Sequence, residues 1–326
     1  MKLNIGVIGC GYWGPNLVRN FNSLPNVSVQ SVSDFRTGRL EFIKQQYPEI
    51  HTTTDFQEII DNPAISAVAI ATPVATHAEL ATLALKAGKH VFVEKPLTSI
   101  AADAWNLVEL AKSLNKVLAV GHVFQFAPGV RKLHQEISVG SVGEVFHISS
   151  NRINPGPPGT TVDVVWDLCP HDLSIILHLV NEMPVDISAV GHSYQWEGLV
   201  DNAHISMNFP SGITAHIHVS WLSANKSRLL QVFAQHGTLV YDEMLALDGK
   251  VKFFSNPVDN RVGAKDSDAQ QLFYSTGDIS VLPLEQHEPL RMECDSFIQA
   301  VQHGHSLPNN GEMGARVVEL LSLISA

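Results

Sequence analysis

Apolar positions set the rhythm of the first 121 residues. The runs LNIGVIG, VSVQSVS, ISAVAIAT (65–72), HVFVE (90–94) and VLAVG (117–121) are short and largely apolar, as strands buried on both faces should be. Between them lie stretches of helical spacing, among them LVRNFNSL (Leu17 to Leu24), HAELATLALKAG (77–88) and AADAWNLVELAKSLN (101–115). This alternation predicts a parallel sheet covered by helices on both sides. Gly88 and Asn115 stand where helices should stop.

Beyond about residue 125 the rhythm changes. A helix is expected from Ala127 to Ile137, then a turn and a strand within GSVGEVFHISSNRI. The stretch NPGPPGTT (154–161) is too rich in Pro and Gly for regular structure and is expected to be a mobile loop. VVWDLCPHDLSIILHLV again reads as helix. From about 185 to 255 the chain is strand-rich, and ITAHIHVSWL (213–222) alternates residue by residue behind the turn residues Pro210, Ser211 and Gly212. Successive strands of this kind predict an antiparallel sheet. Helical spacing returns in LRMECDSFIQAVQHG (290–304) and GARVVELLSLIS (314–325). Two domains are therefore expected, 1–121 and 122–326, with the last helix free to pack back on the first.

Composition narrows the picture. The 326 residues are 45% hydrophobic and 16% charged, enough to bury a large core. A formal charge of −11 speaks against a nucleic-acid groove or an anionic membrane surface as partner. The three cysteines, Cys10, Cys169 and Cys294, are scattered and odd in number, so a reducing, cytoplasmic setting is expected. No apolar run is long enough to span a bilayer. The first strand begins at once, so no signal peptide is expected.

The candidate chemistry starts at the first turn. Gly9, Gly11 and Gly14 fit G-x-G-x-x-G after an apolar run and before a helical one, and Asp34 ends the next strand-like run. In that context the glycines serve a tight turn, close backbone approach to a pyrophosphate and helix–strand packing, while the helix N-terminus faces the anion. Asp34 is expected to accept the adenosine ribose hydroxyls and so to favour NAD, with Arg36 and Arg39 softening that preference and leaving room for NADP. Tyr12, Trp13, Phe35 and Arg36 are counted with this cofactor-binding set.

Ligands of open α/β sheets lie outside the carboxyl ends of the strands. Two clusters fall there, ATPVATH with Thr72, Pro73 and His77, and Glu94-Lys95-Pro96. A partly desolvated lysine beside a cofactor can exchange a proton with substrate, although Lys95 taken alone reads as an exposed loop lysine. In Trp166-Asp167-Leu168-Cys169-Pro170-His171-Asp172, a helix would put Asp167 and His171 on one face and Leu168, Ile175, Ile176 and Leu179 on the core side. Asp167 would orient the His171 ring, His171 would exchange a proton with a hydroxyl, and Pro170 would sit in the first turn. Taken alone, such a pair is more often a cap or surface pair. Arg152 beside NPGPPG is a candidate for gripping substrate phosphates, with a surface arginine as the plain alternative. His122 either borders the pocket or is a hydrogen-bonded core histidine, and the second is preferred. His216 and His218 share a strand face without further ligands at metal spacing, so no metal site is expected.

Taken together, GxGxxG, Asp34, ATPxxxH, EKP and D-x-x-x-H resemble the Gfo/Idh/MocA family of sugar and polyol dehydrogenases over the whole chain. The resemblance implies a dinucleotide-binding fold followed by an α/β domain with a large open, mainly antiparallel sheet, whose exposed face makes dimers or tetramers. It also implies that Lys95 and His171 meet the hydroxyl undergoing oxidation, with Asp167 nearby. Relatives often carry glycines before that aspartate, where this chain has VDVVWDLCPHD. Trp166 is therefore expected to narrow the substrate pocket, and the WDL-x-PHD form resembles a branch acting on nucleotide sugars. The expected activity is NAD(H)-dependent oxidation of a secondary hydroxyl, on a UDP-linked N-acetylhexosamine or its uronate. The alternatives are a free polyol or inositol dehydrogenase and a non-catalytic NAD sensor.

Overall fold

The computed structural model describes residues 2–156, 162–256 and 277–325. It divides into two compact units, one formed by Met1–Ala127 with His287–Ala326 and the other by Pro128–Gln286. The sequence pattern places the division after 121, with the last helix free to pack back on the first domain. In the structure the first unit runs six residues further and also takes the C-terminal forty residues.

The first unit holds a six-stranded parallel sheet built from β1 (Leu3–Ile8), β2 (Val27–Ser33), β3 (His51–Thr53), β4 (Ala67–Ile70), β5 (His90–Val93) and β6 (Leu118–Val120). Its strand order is β3-β2-β1-β4-β5-β6. The order reverses between β1 and β4, and that reversal leaves a crevice at their carboxyl ends. Helices α1 (Gly14–Asn22), α2 (Thr37–Gln46), α3 (Gln57–Asp61), α4 (His77–Lys86) and α5 (Ala101–Ser113) connect the strands. Strands β4 and β6 are buried at every position, which is why they read as unbroken apolar runs. Gly88 and Asn115 end their helices with positive φ, 78° and 53°.

In the C-terminal segment of this unit, α8 (Pro289–His303) and α9 (Gly311–Ile324) close its core. Phe297 of α8 meets Phe21 and Phe92 edge-on at 6.2 and 5.8 Å between ring centroids. Between the two helices, the Asn309 Nδ2 donates to the Val120 carbonyl at 2.7 Å and to Glu293 at 2.9 Å.

The second unit opens with α6 (Pro128–Ser138), β7 (Val145–Ile153) and α7 (Val164–Val180). Strands β8 (Asp186–His192), β9 (Asn202–Asn208), β10 (Thr214–Ser220), β11 (Ser227–Ala234), β12 (Gly237–Asp242), β13 (Val251–Ser255) and β14 (Ile279–Val281) follow. They form one sheet in the order β14-β13-β12-β11-β7-β10-β9-β8. Every neighbour pair is antiparallel except β10 with β7, so the sheet is mainly rather than wholly antiparallel. Alternation along β7 buries Ile148, Ser150 and Arg152 and leaves His147, Ser149 and Asn151 half-buried on the other face. The expected loop 154–161 lies outside the described residues from 157 onward.

Candidate active site

The glycine-rich turn leaves the carboxyl end of β1. Gly9 has φ 99°, a conformation that suits glycine, and its N–H donates to the Ser33 carbonyl at 2.7 Å. A Cβ on Gly14 would run into the Gly9 carbonyl oxygen. Gly11 differs, because a Cβ there meets only the Ala71 oxygen at 4.0 Å. Among the described residues nothing packs closely against it, which leaves space for a ligand. The first turn of α1 carries no acidic residue and has a Pro among its opening positions, so an anion at its N-terminus would meet no competing charge from that turn.

A cavity of about 690 Å³ lies beside this turn. Gly9, Gly11, Asp34, Phe35, Arg36, Thr72 and Pro73 line it, as the sequence pattern expects of cofactor-binding residues. Thr54, Phe56, Thr76 and Glu79 line it too and were not expected. The first two follow β3, a strand of three residues that is too short to leave a period in the sequence. Tyr12 and Phe35 are exposed, and Trp13 sits edge-on to Tyr12 at 5.4 Å at the tip of the turn.

Asp34 anchors the cavity floor. Its Oδ2 accepts the Cys10 N–H at 2.7 Å, and its Oδ1 accepts the Arg36 N–H at 2.9 Å. The Arg36 guanidinium adds two more bonds, Nε to Oδ1 at 2.9 Å and Nη2 to Oδ2 at 3.0 Å. Burial pushes this carboxyl up, but the bonds from Arg36 and Cys10 outweigh it and hold its pKa below the ordinary value. Arg39 instead donates to the carbonyls of Cys10 and Gly11 and so braces the turn.

The other two clusters of this unit are tied to each other. The His77 ring is buried, with Nδ1 at 2.9 Å from the Pro96 carbonyl and Nε2 at 2.9 Å from that of Thr72. Expected as a cofactor contact, His77 is a brace between two loops. Lys95 is half-buried after β5, and its N–H donates to the Glu94 carboxylate at 3.3 Å. Burial pushes Glu94 up to about 7, with the Lys95 charge opposing it. His122 is fully buried, and neither ring nitrogen meets a hydrogen-bond partner among the described residues. The hydrogen-bonded core histidine expected there is thus buried without the bonds. Burial and the Lys95 charge push its pKa down to about 3.

In the second unit, α7 begins at Val164, capped by Asp163, whose side chain accepts the Trp166 N–H at 2.9 Å. From 164 to 177 every position of this helix is buried except Trp166, Asp167 and His171. Asp167 and His171, at i and i+4, share one face of the helix, with Trp166 turned about 100° from Asp167, and Leu168, Ile175, Ile176 and Leu179 are buried as expected. The Trp221 indole N–H donates to Asp167 Oδ2 at 3.1 Å, a partner the sequence did not reveal. Pro170 is the seventh residue of the helix and not in its first turn, because the helix starts at Val164, as its apolar spacing indicates. Arg152 is also corrected. It is buried, its Nε donates to Asp172 Oδ2 at 2.8 Å, and Ser150 donates to Asp172 Oδ1 at 2.7 Å. Inward-facing alternation on β7 turns the arginine toward the helix and away from the solvent where it would grip a phosphate.

Comparison with known proteins agrees with this layout. A family model described as an oxidoreductase family with an NAD-binding Rossmann fold matches residues 3–122, and the C-terminal domain model of the same family matches residues 130–240. The chain belongs to the Gfo/Idh/MocA family. It is 27% identical over 253 residues to a myo-inositol 2-dehydrogenase of Thermotoga maritima, covering 74% of this chain and 76% of that one. It is 32% identical over 172 residues to a UDP-N-acetylglucosamine 3-dehydrogenase of Acidithiobacillus ferrooxidans, covering 52% and 53%. The solved structure of that enzyme superposes with a TM-score of 0.85 at 23% identity over 99% of this chain and 97% of the other, which shows the shared fold. As a member of this family the chain is an NAD(P)-dependent oxidoreductase of sugars or polyols. Its turn fits the cofactor, since the open space over Gly11 and the bare N-terminus of α1 suit a pyrophosphate. No described helix is long and apolar enough to cross a membrane.

Proposed function

We propose that the chain oxidises a secondary hydroxyl of a UDP-linked N-acetylhexosamine or its uronate. The observation that carries this reading is the face of α7 shared by Asp167 and His171, where a helix otherwise buried from 164 to 177 leaves a carboxylate and an imidazole half-buried, with the Trp166 indole a quarter-turn away. The bound dinucleotide supplies the hydride acceptor. The chain holds its pyrophosphate at Gly9–Gly14 and its adenosine ribose at Asp34, with Thr72, Pro73, Phe35 and Arg36 around them. Lys95 or His171 takes the hydroxyl proton as the carbonyl forms, and Asp167, fixed by Trp221, steadies the site. Trp166 narrows the room for the sugar. Glu94 and His77 act through Lys95 and the loops around it.

The partial likeness to a UDP-N-acetylglucosamine 3-dehydrogenase supports the nucleotide-sugar substrate. The longer, weaker likeness to a myo-inositol 2-dehydrogenase favours a second reading, oxidation of a free polyol. Purified protein with NAD separates them by NADH formation on UDP-N-acetylglucosamine, its uronate, free N-acetylglucosamine and myo-inositol. Turnover confined to the free polyol would overturn the first reading. We also propose that copies of the chain associate through the sheet face bearing His147, His204, His216 and His218, which no described element of the second unit covers as α7 covers the opposite face.

A further inference from the structure

The loop between β8 and β9 is built around one indole. From 193 to 198 every residue is exposed except Trp196, which is half-buried. Beneath it Asp201 is fully buried, and its Oδ2 accepts the N–H groups of Tyr194 at 2.7 Å, Gln195 at 2.6 Å and Trp196 at 3.3 Å. A buried carboxylate is costly without donors of this kind, and three successive N–H groups converging on it fix the backbone of 194–196. Asp201 also ties the loop to the sheet. Its N–H donates to the His192 carbonyl at 2.9 Å, and its carbonyl accepts the Trp221 N–H at 2.8 Å. The Val200 carbonyl accepts the Val164 N–H at 2.9 Å, which joins the loop to the first residue of α7.

This anchoring sets Trp196 one ring away from Asp167. The Trp196 and Trp221 rings lie 5.6 Å apart at 60°, and the Trp221 indole N–H donates to Asp167 Oδ2. Gly156 closes against the edge of the same indole, since a Cβ there would meet the Trp196 ring at 2.7 Å. Held by Trp221 and Gly156, the ring still keeps part of its surface open. The face of an indole is apolar and electron-rich. A six-membered ring in chair form, with its hydroxyls mostly equatorial, can turn axial C–H groups to that face and its hydroxyls away. An open-chain polyol has no such face. Resting on the reading of α7 as the face where a hydroxyl is oxidised, we propose that Trp196 is the platform for the substrate ring and selects cyclic substrates over open-chain polyols. Asp201 is its positioning residue, acting through the backbone of the loop.

The test is NADH formation by wild type, Trp196→Ala and Trp196→Phe on two ring substrates, UDP-N-acetylglucosamine and myo-inositol, and on the open-chain polyol sorbitol. Wild type should oxidise a ring substrate and leave sorbitol almost untouched. Trp196→Ala should raise KM for the ring on the order of tenfold with kcat nearly unchanged, because the lost contact serves binding and not the hydride step. Trp196→Phe should fall between wild type and the Ala variant, and it carries the test if the Ala variant does not fold. A ring KM unchanged in both variants, a loss confined to kcat, or ready oxidation of sorbitol by wild type overturns the proposal while leaving the oxidation reading intact. If wild type oxidises neither ring, the reading of α7 fails, and the proposal with it.

Discussion

Glu94 shows at the scale of one residue what burial costs. Its pKa is raised from 4.5 to about 7, by desolvation first, with Lys95 pulling the other way. The unfolded carboxyl begins to ionise near 4.5 while the folded one stays protonated to about 7. Stability present below 4.5 therefore drains away as pH climbs through 7 and stays lost above it. Glu94→Gln should be more stable than wild type at pH 8 by roughly 3 kcal/mol, with the gap closing toward pH 5. Urea unfolding at both pH values checks this, and a gap that does not change with pH would contradict it. Arg152 carries a second residue-scale prediction. Arg152→Ala leaves Asp172 buried without its charge partner and should cost about 3–5 kcal/mol. The change should register in thermal unfolding, and it should leave unaltered the ratio of KM for a nucleotide sugar to KM for a free sugar. A selective rise in the nucleotide-sugar KM would restore the phosphate-gripping role. Chain position made Arg152 look available because nothing in sequence shows that Asp172, one helix later, faces it.

At the scale of elements, two glycines of one turn should respond differently. Gly14→Ala sets a methyl group against the Gly9 carbonyl and should destabilise the fold. Gly11→Ala meets open space and should leave the melting temperature unchanged while weakening dinucleotide binding. Calorimetry on both variants separates packing from ligand approach, and loss of stability in Gly11→Ala would deny the open space its purpose. Elements with several turns or several alternations were legible. The range 164–180 for α7 follows from its apolar spacing, and β10 from its alternation. What stayed hidden depends on partners distant in sequence. Strand β3 is three residues long, and the parallel pairing of β10 with β7 comes from register between segments 67 residues apart, Thr214 opposite His147. Pro170 was placed in the first turn because proline there is a helix-start signal, whereas the helix starts at Val164 behind its cap Asp163.

Across the whole molecule, the path of the chain was the hardest feature to read. The spacing of 290–304 announces a helix but not which sheet it covers, and only the meeting of Phe297 with Phe21 and Phe92 assigns it to the first unit. The second sheet bears a histidine-rich face, with His204 stacked on His218 at 4.2 Å and His147 edge-on to His216 at 6.2 Å. Burial, and then the neighbouring imidazole in each case, lowers the pKa of His147 and His218. A lowered pKa keeps these rings neutral in the folded chain, so the favourable neutral state is lost as pH falls below the ordinary imidazole value of ~6.5. Copies joined through this face should separate as pH drops from 8 to below 6, which sedimentation velocity would show. Association that strengthens at low pH would place the contact elsewhere. The central claim, oxidation of a nucleotide-sugar hydroxyl by Lys95 and His171, is tested most directly by NADH absorbance after mixing the protein with NAD and UDP-N-acetylglucosamine. Wild type should form NADH, while Lys95→Ala and His171→Ala should bind NAD with unchanged affinity and form almost none. Undiminished NADH formation in either variant, or none from wild type on any sugar or polyol, would contradict the account.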